Sequence, residues 1–256
     1  MSKLEISKVH DAYRASHECP LCLLIGAAEH TYLQSFQGSR VMEPSVRVKT
    51  NALGFCPDHY RKLYQGDNKL GLSLMVHTHL KEKLPELRSA LEALRERQGA
   101  PQRRPKGELA ARMAALAESL ERLRNSCFLC EMLQTDLDRY VFTIVYLWRG
   151  DAEFLPGFRA SRGFCLKHFA AVAAHAQEAL RGEELTRFLD DVVPLMVTSL
   201  QKLEADLFGF TQLFHDANRS LGGEDERTAL LRALQKLSGT IITPEDGPGR
   251  QSRVRV

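Results

Sequence analysis

The sequence predicts an all-α protein made of duplicated helical units, each with one Cys3His zinc site. Apolar residues recur at helical spacing through most of the chain, whereas alternating runs rich in β-branched residues are scarce. In addition, all six cysteines belong to a single pattern that occurs twice. Each occurrence is a Cys-x-x-Cys followed by a Cys-x-x-His, so the chain reads as an internal repeat.

The repeated pattern supplies eight candidate metal ligands. These are Cys19, Cys22, Cys56 and His59 in the first copy, and Cys127, Cys130, Cys165 and His168 in the second. The offset between the copies is 108 residues for the Cys-x-x-Cys pairs and 109 residues for the Cys-x-x-His pairs. The copies therefore differ by one residue between their motifs.

Three thiolates and one imidazole make a complete tetrahedral set of the kind that zinc prefers. Because no coordination position stays open for water, the set is typical of structural zinc sites. We therefore expect two zinc ions per chain, one in each copy. The alternatives are an iron–sulfur cluster with one histidine ligand, a redox dithiol at each Cys-x-x-Cys, and plain disulfides. The redox dithiol is disfavoured because no strand pattern surrounds the cysteines.

The first copy is predicted to contain four helices. A short helix over residues 4–15 precedes the Cys-x-x-Cys, and a longer one follows it over residues 24–36. A loop over residues 38–55 leads to Cys56, where Pro57 suits the first turn of the next helix. The fourth helix is long and has one apolar face, formed by Leu80, Leu84, Leu87, Leu91 and Leu94.

The second copy repeats this plan beyond the ligands themselves. Gly54 and Phe55 correspond to Gly163 and Phe164, each pair directly preceding the cysteine of a Cys-x-x-His. The apolar face of the long helix is repeated as Leu189, Val193, Met196, Leu200 and Leu203. Additional helices are expected over residues 108–125 and 224–237.

Segments rich in proline, glycine and arginine set the predicted domain boundaries. Residues 1–98 form the first zinc-binding repeat and residues 99–107 an exposed linker. Residues 108–242 form the second repeat with a C-terminal extension, and residues 243–256 a disordered tail.

Composition and charge exclude some classes of protein. The start of the chain lacks the apolar run of a signal peptide, and no stretch is long enough to span a bilayer. We therefore expect a cytoplasmic protein with no membrane partner, whose thiols stay reduced. A formal charge of +3 gives only weak support for a nucleic-acid partner.

Other polar residues are weaker candidates for a site. Five basic residues near the Cys-x-x-His motifs could screen the charge of a metal centre or bind an anion: Arg47, Lys49, Arg159, Arg162 and Lys167. His77 and His79 are two residues apart, which places them on different helix faces. Three acidic residues on the helices after each Cys-x-x-Cys are expected to lie on solvent-exposed helix faces rather than in a site: Glu29, Glu131 and Asp136. No nucleophile–histidine–acid set, phosphate loop or dinucleotide fingerprint is present.

These motifs resemble an uncharacterised bacterial domain-of-unknown-function family in which Cys-x-x-Cys and Gly-Phe-Cys-x-x-His recur in tandem. The resemblance covers about residues 9–238 and includes, more weakly, the segment 214–219. It implies a bacterial protein with this layout of motifs. It implies no known activity.

The sequence therefore favours a zinc-binding helical protein that acts as a binding or regulatory module for an unknown protein or small molecule. The main alternatives are a thiol or metal redox sensor and an iron–sulfur protein. An enzyme with a cleft between the repeats is the third reading, and no catalytic residue or further cofactor-binding residue is assigned.

Overall fold

The computed structural model describes residues 3–95, 107–214 and 223–243 of the 256-residue chain. Every regular element in these ranges is a helix, which confirms the predicted all-α class. The elements are α1 Lys3–Arg14, α2 Pro20–Gln37, a 3₁₀-helix Ser39–Met42, α3 Pro44–Leu53, α4 Pro57–Gln65, α5 Lys69–Arg95, α6 Glu108–Asn125, α7 Phe128–Gly150, α8 Phe154–Ala160, α9 Leu166–Ala179, α10 Glu183–Gln212 and α11 Glu224–Ser238.

The prediction of a loop over residues 38–55 is wrong, because this segment contains the 3₁₀-helix and α3. Pro44 occupies the first turn of α3, where its missing N–H costs nothing. Val46 and Thr50 lie four residues apart and are both buried. A helix of this length shows too few apolar repeats for the pattern to be recognised in the sequence.

The chain forms two compact units, and neither is a continuous half of the sequence. One unit comprises Met1–Ala27 and Asp136–Val256, and the other comprises Ala28–Thr135. The boundaries fall inside α2 and α7. This division differs from the boundary expected at residues 99–107, because α5 and α6, on either side of that stretch, pack against each other in the second unit. Residues 99–106 and 244–256, expected to be a linker and a disordered tail, lie outside the described residues, as does most of the segment 214–219.

Each unit has its own apolar core, and cysteines belong to both. The core of the first unit is rich in aromatic side chains and includes Phe158, Phe164 and Phe188, each fully buried. The core of the second unit is smaller and is centred on Phe36 and Phe55, whose rings meet edge to face 5.4 Å apart. The ligand motifs are therefore anchored in two separate cores.

In the described ranges, no helix combines the length and the hydropathy that a membrane span requires.

Candidate metal centres

The structure gathers the eight predicted ligand residues into two groups of four. The first group, here called the buried centre, is Cys19, Cys22, Cys165 and His168. The second group, here called the open centre, is Cys56, His59, Cys127 and Cys130. In each group, one ligand atom from every residue lies within 4.8 Å of the other three. All residues of the buried centre are buried, whereas Cys130 is exposed and Cys56 is half-buried.

The pairing of the motifs contradicts the expectation that each copy holds its own ion. Each centre combines the Cys-x-x-Cys of one copy with the Cys-x-x-His of the other. The physical reason is the direction of α2, which carries the chain about 22 Å away from Cys22 by its end at Gln37. In the second unit, the same helix places Glu29 against His59 of the other centre. Likewise α7 begins at the open centre and continues into the first unit.

Helix starts position all eight candidate ligand residues. Cys56 and Cys165 are the N-cap residues of α4 and α9, so each histidine three residues later lies in the first turn of the helix. The preceding glycines, Gly54 and Gly163, have φ angles of +60° and +71°, which only glycine adopts without strain. This shared backbone turn explains the Gly-Phe that precedes the cysteine in both copies.

In the buried centre, the ligand atoms converge around His168. Its Nδ1 atom lies 3.2 Å from Sγ of Cys165, 3.4 Å from Sγ of Cys22 and 3.5 Å from Sγ of Cys19. The sulfurs of Cys22 and Cys165 are 3.6 Å apart. The backbone N–H of His168 donates to the Cys165 sulfur at 3.4 Å, a bond that favours the thiolate form.

The open centre has nearly the same geometry. Nδ1 of His59 lies 3.2 Å from the sulfurs of Cys56 and Cys127, and 3.4 Å from that of Cys130. The sulfurs of Cys56 and Cys130 are 3.8 Å apart. The backbone N–H of Cys130 donates to Sγ of Cys127 at 3.4 Å. Both centres therefore present three sulfurs and one imidazole nitrogen to a common point.

These separations fit a single tetrahedral ion. With zinc bonds of about 2.3 Å to sulfur and about 2.05 Å to nitrogen, the edges of the tetrahedron are about 3.8 Å between sulfurs and about 3.6 Å between sulfur and nitrogen. A disulfide requires sulfurs about 2.05 Å apart, and all six cysteines are free. The plain-disulfide alternative is therefore wrong for this structure.

Without an ion, the thiols of each centre compete for one negative charge. Hydrogen bonds from its neighbours Cys19 and Cys22 hold the pKa of Cys165 far below its usual value. Burial raises the pKa of Cys19 to about 11, and the hydrogen bond to Cys165 raises that of Cys22 further. In the open centre, the hydrogen bond from Cys130 lowers the pKa of Cys127 to about 3 and raises that of Cys130. A divalent cation would allow all three sulfurs of a centre to be thiolates.

Glu29 orients the histidine of the open centre. Nε2 of His59 donates to Oε1 of Glu29 at 2.9 Å, and Nζ of Lys62 donates to the same oxygen at 2.7 Å. The hydrogen bond from His59 is the main reason that the pKa of Glu29 falls to about 2. This proton position leaves Nδ1 free to bind an ion, as in the carboxylate–histidine–metal arrangement of known metal sites.

The sequence interpretation of Glu29 as a solvated residue was therefore wrong. The internal repeat does not indicate a role for Glu29, because the residue 108 positions later is Leu137. The carboxylate is thus not repeated at the matching position of the second copy, and its role is revealed by its contacts in the structure.

We expect Glu29→Gln to weaken the affinity of the open centre for its ion about tenfold. The amide oxygen still accepts a hydrogen bond from His59, but it brings no negative charge to strengthen the imidazole as a ligand. Competition with a chromophoric chelator measures the affinity. The control is Glu131→Gln, which removes an exposed carboxylate next to Cys130 and is expected to leave the affinity unchanged. Equal losses in both variants would indicate a general charge effect.

The C-terminal helix α11 lies over the buried centre. The carbonyl oxygen of Gly239, which ends α11, is 3.7 Å from Sγ of Cys22. A Cβ atom at Gly239 would lie 3.4 Å from Sγ of Cys165 and 2.9 Å from Cβ of Lys167. The distance to Cβ of Lys167 is shorter than a Cβ atom tolerates, so the chain at Gly239 passes Lys167 at a distance that favours glycine, with the Cys165 sulfur in ordinary contact.

A buried ionic network fixes α11 in that position. Glu18, directly before the first ligand, accepts hydrogen bonds from Arg162 at 2.8 Å and from Arg232 at 2.5 Å. Burial acts to raise the pKa of Glu18, but these two guanidinium groups hold it below its usual value. Nζ of Lys236, a fully buried side chain, donates to the carbonyl oxygens of Glu18 and Arg162. Arg232 also pairs with Asp206 at 3.1 Å.

Sequence reasoning missed this network, although α11 carried a signal. Arg232 and Lys236 are four residues apart, and they share the helix face of Ala229 and Ala233, which are both buried. Basic residues on the apolar face of an amphipathic helix indicate buried partners.

The basic residues proposed to screen the metal or to bind an anion are mostly engaged elsewhere. Arg159 forms a bidentate pair with Asp191, at 2.9 and 3.0 Å. Arg162 binds Glu18, and Arg47 donates to Thr78 and to a backbone carbonyl of α5. These pairings within the fold remove the support for an anion or nucleic-acid site at Arg47, Arg159 and Arg162.

A cavity of about 630 Å³ lies in the first unit between α8, α10 and Arg232. Four basic residues line it, and each is paired with a carboxylate: Arg159, Arg162, Lys202 and Arg232. The cavity therefore presents no unpaired positive charge, and its lining residues include no cysteine or histidine that could act as a nucleophile or base.

Comparison with known proteins gives the family. Searches of curated proteins and of solved structures gave no match. A family described as "Family of unknown function (DUF6062)" matches residues 1–244, a range that includes both centres and all described helices. On this match, the chain belongs to the DUF6062 family, whose function is unknown.

Proposed function

We propose that this protein is a binding or regulatory module whose two helical units are each held together by a structural zinc ion. The observation that carries the proposal is the convergence of two complete Cys3His sets at the spacing of a single tetrahedral ion. Because three thiolates and one imidazole fill the coordination shell, the ion has no position left for a substrate. The role of the ions is therefore to fix the fold.

Zinc is favoured over the iron–sulfur alternative by the size of the centres. A cluster places several iron and sulfide ions between its ligands, which requires the ligand atoms to lie farther apart than around one ion. Sulfurs 3.6 to 3.8 Å apart leave room for one ion only. Zinc prefers this tetrahedral set of sulfur and nitrogen ligands.

The proposed stabilisation is large because each ion joins distant parts of the chain. Cys22 and Cys165 are 143 residues apart, and Cys56 and Cys130 are 74 residues apart. A cross-link between residues so far apart removes many conformations from the unfolded chain. Metal-binding free energy then becomes folding free energy, as it does in other small metal-dependent units.

We further propose that the chain arose by duplication and that its repeats exchanged motifs when they folded together. The constant offset of the motifs supports this, as do the matching positive φ angles at Gly54 and Gly163. Six reduced thiols in metal-binding arrangement also favour the cytoplasm of a bacterium as the location. The partner of such a module would be a protein or a small molecule.

A second candidate function is a thiol or metal redox sensor at the open centre. It is favoured by the exposure of Cys130, whose sulfur lies 3.8 Å from that of the half-buried Cys56. A hydroperoxide would accept two electrons and two protons to give water and an alcohol, while the two thiolates form a disulfide and the ion leaves. Loss of that ion would loosen the second unit only.

The primary test is the metal content of protein purified without chelators. We expect two zinc ions per chain by elemental analysis, because both ligand sets are complete. Replacement of zinc by cobalt should give the visible absorption bands of tetrahedral cobalt with thiolate ligands. Stoichiometric iron, or fewer than two ions after careful reconstitution, would contradict the zinc proposal.

A further inference from the structure

Lys236 on α11 is a lysine without access to solvent. Its exposure is 0 %, and among the residues that the structure describes no other lysine or arginine is as buried. Its Nζ atom donates to two backbone carbonyls, those of Glu18 and Arg162. The carboxylate of Glu18 lies farther away, with Oε2 at 3.5 Å. The fold therefore buries a positive charge whose hydrogen bonds go to neutral groups.

The two carbonyls belong to the two segments that form the buried centre. Glu18 directly precedes Cys19 of the Cys-x-x-Cys, and Arg162 lies three residues before Cys165 of the Cys-x-x-His. Glu18 and Arg162 are 144 residues apart in the sequence. One ammonium group on α11 therefore bridges both halves of the centre.

The ionic network around Lys236 contains one more basic group than acidic groups. Ion pairs connect three carboxylates with four basic side chains: Glu18, Asp206 and Asp225 with Arg162, Lys202, Arg232 and Lys236. The carboxylate nearest to Lys236 is shared, because Glu18 accepts hydrogen bonds from both Arg162 and Arg232. The network therefore has one positive charge in excess, and Lys236 is the member whose hydrogen bonds reach no carboxylate.

An occupied buried centre supplies the missing negative charge. Zinc carries two positive charges and three thiolates carry three negative ones, so the centre with a neutral histidine has one net negative charge. Because all four ligand residues are buried, water does little to screen that charge, and a buried charge requires a partner. Burial lowers the pKa of Lys236, but nearby negative charges, including those of Cys19 and Cys165, oppose this effect. The ammonium group and the thiolates are therefore close enough to interact.

The position of the end of α11 increases the need for a cation. Gly239 is the C-cap residue of α11, and its carbonyl oxygen is 3.7 Å from Sγ of Cys22. The carbonyl end of a helix carries a partial negative charge, which repels a thiolate. Lys236 lies three residues earlier in the same helix and brings a full positive charge that offsets this repulsion.

The open centre is compensated differently. Lys62, a basic residue beside it, donates to Glu29 at 2.7 Å, so this pair adds no net charge. Cys130 is exposed, which allows water to screen the charge of the occupied centre. The open centre therefore serves as an internal reference for any effect of Lys236.

We propose that Lys236 is the counter-charge of the occupied buried centre, so that docking of α11 and binding of the ion stabilise each other. This inference rests on the proposed function, because it requires an ion at the buried centre. Coupling between two binding events is reciprocal, so the ion should hold α11 in place as strongly as α11 retains the ion. The buried centre is then regulated through α11, since any event that detaches this helix weakens the binding of the ion.

The test is the zinc affinity of each centre in the full-length protein, measured by competition with a chromophoric chelator. Lys236→Met removes the charge and keeps an unbranched side chain of similar length. We expect it to lower the affinity of the buried centre about 10- to 100-fold, as is usual when a group that supports metal ligands is lost, and to leave the open centre unchanged. Replacement of a buried charge by an apolar residue is otherwise often neutral or stabilising, so a lysine that only fills space would give no loss.

Hydrogen exchange at saturating zinc provides the second readout. In Lys236→Met, exchange in α11 should be faster than in the wild type, while α9 of the same unit keeps its protection. Lys236→Gln separates charge from hydrogen bonding, because its amide group can still donate to a carbonyl. This variant should lose as much affinity as Lys236→Met, and full affinity in Lys236→Gln would overturn the counter-charge role.

The matched control is Lys202→Met, which removes the same charge from the same network. The Lys202 side chain is 54 % exposed and pairs with Asp206 and Asp225 instead of the ligand segments. We expect this variant to leave the affinities of both centres unchanged. Equal losses in Lys202→Met and Lys236→Met would overturn the inference.

The remaining outcomes separate this inference from the proposed function. Two zinc ions in the wild type, together with an unchanged affinity in Lys236→Met, would overturn the inference and leave the proposed function standing. A loss that affects both centres would also overturn it, as would a Lys236→Met protein that stays unfolded at saturating zinc, since Lys236 would then support the fold in general. A wild type without an ion at the buried centre would contradict the proposed function, and this inference with it.

Discussion

Cys165→Ser is expected to release the ion of the buried centre and to unfold the first unit, comprising residues 1–27 and 136–256, while residues 28–135 stay folded. The thiolate belongs to a centre whose other ligands, Cys19, Cys22 and His168, all lie in that unit. Binding of a structural zinc ion contributes about 10 kcal/mol or more, which is comparable to the whole stability of an ordinary domain, about 5 to 15 kcal/mol, so its loss is expected to unfold the unit.

Hydrogen exchange followed by mass spectrometry measures this directly. Cys165→Ser should lose protection in α1 as well as in α9 and α10, although α1 is more than 150 residues away from the substituted position. The counterpart Cys127→Ser should lose protection in α3, α4 and α5 instead. Loss of protection confined to residues 108–214 in Cys165→Ser would mean that each sequence copy holds its own ion, contrary to the structure.

The sequence determines which residues belong to the motifs, but it does not determine which motifs come together in one centre. Spacing alone singled out the eight residues that the structure gathers into two groups of four, because Cys-x-x-Cys and Cys-x-x-His motifs are local patterns suited to tetrahedral coordination. The pairing of the motifs depends on where α2 and α7 lead the chain. The direction in which the chain continues after a long helix depends on tertiary packing, and no local sequence pattern predicts it.

The same reasoning applies to the residues around the ligands. Glu29 meets His59 only because α2 enters the second unit, and Lys236 meets Glu18 across a separation of 218 residues. The apolar stripe of α5 was recognised in the sequence, but periodicity does not show whether a stripe faces a core or solvent. In this protein three of its five members, Leu80, Leu84 and Leu91, remain exposed.

The difference in exposure between the centres also bears on the choice between a structural and a sensing role. In the buried centre, Cys19 and Cys165 are fully buried and Cys22 is 2 % exposed. In the open centre, Cys130 is exposed and Cys56 is half-buried. A sensor requires a ligand that reagents can reach, so any exchange or oxidation of thiolates should begin at the open centre.

Excess chelator is therefore expected to remove zinc in two phases, with the open centre emptying at least about tenfold faster than the buried one. The accessibility of the cysteines to the chelator determines the rates of zinc release. A chelator can approach Cys130 directly, whereas it reaches the buried centre only after α11 moves. The absorbance of a chromophoric chelator records both phases. Cys127→Ser should lack the fast phase, which assigns that phase to the open centre.

Arg232→Ala tests the covering role of α11. It removes hydrogen bonds to Glu18 and Asp206 and leaves Glu18 with less compensation for its buried charge, so α11 should detach more often and the slow phase should accelerate. The control is Arg227→Ala on the exposed side of the same helix, which should leave both phases unchanged. Release of both ions in one phase from the wild type, or a fast phase that persists in Cys127→Ser, would show that exposure does not control metal exchange and that the two centres respond as one.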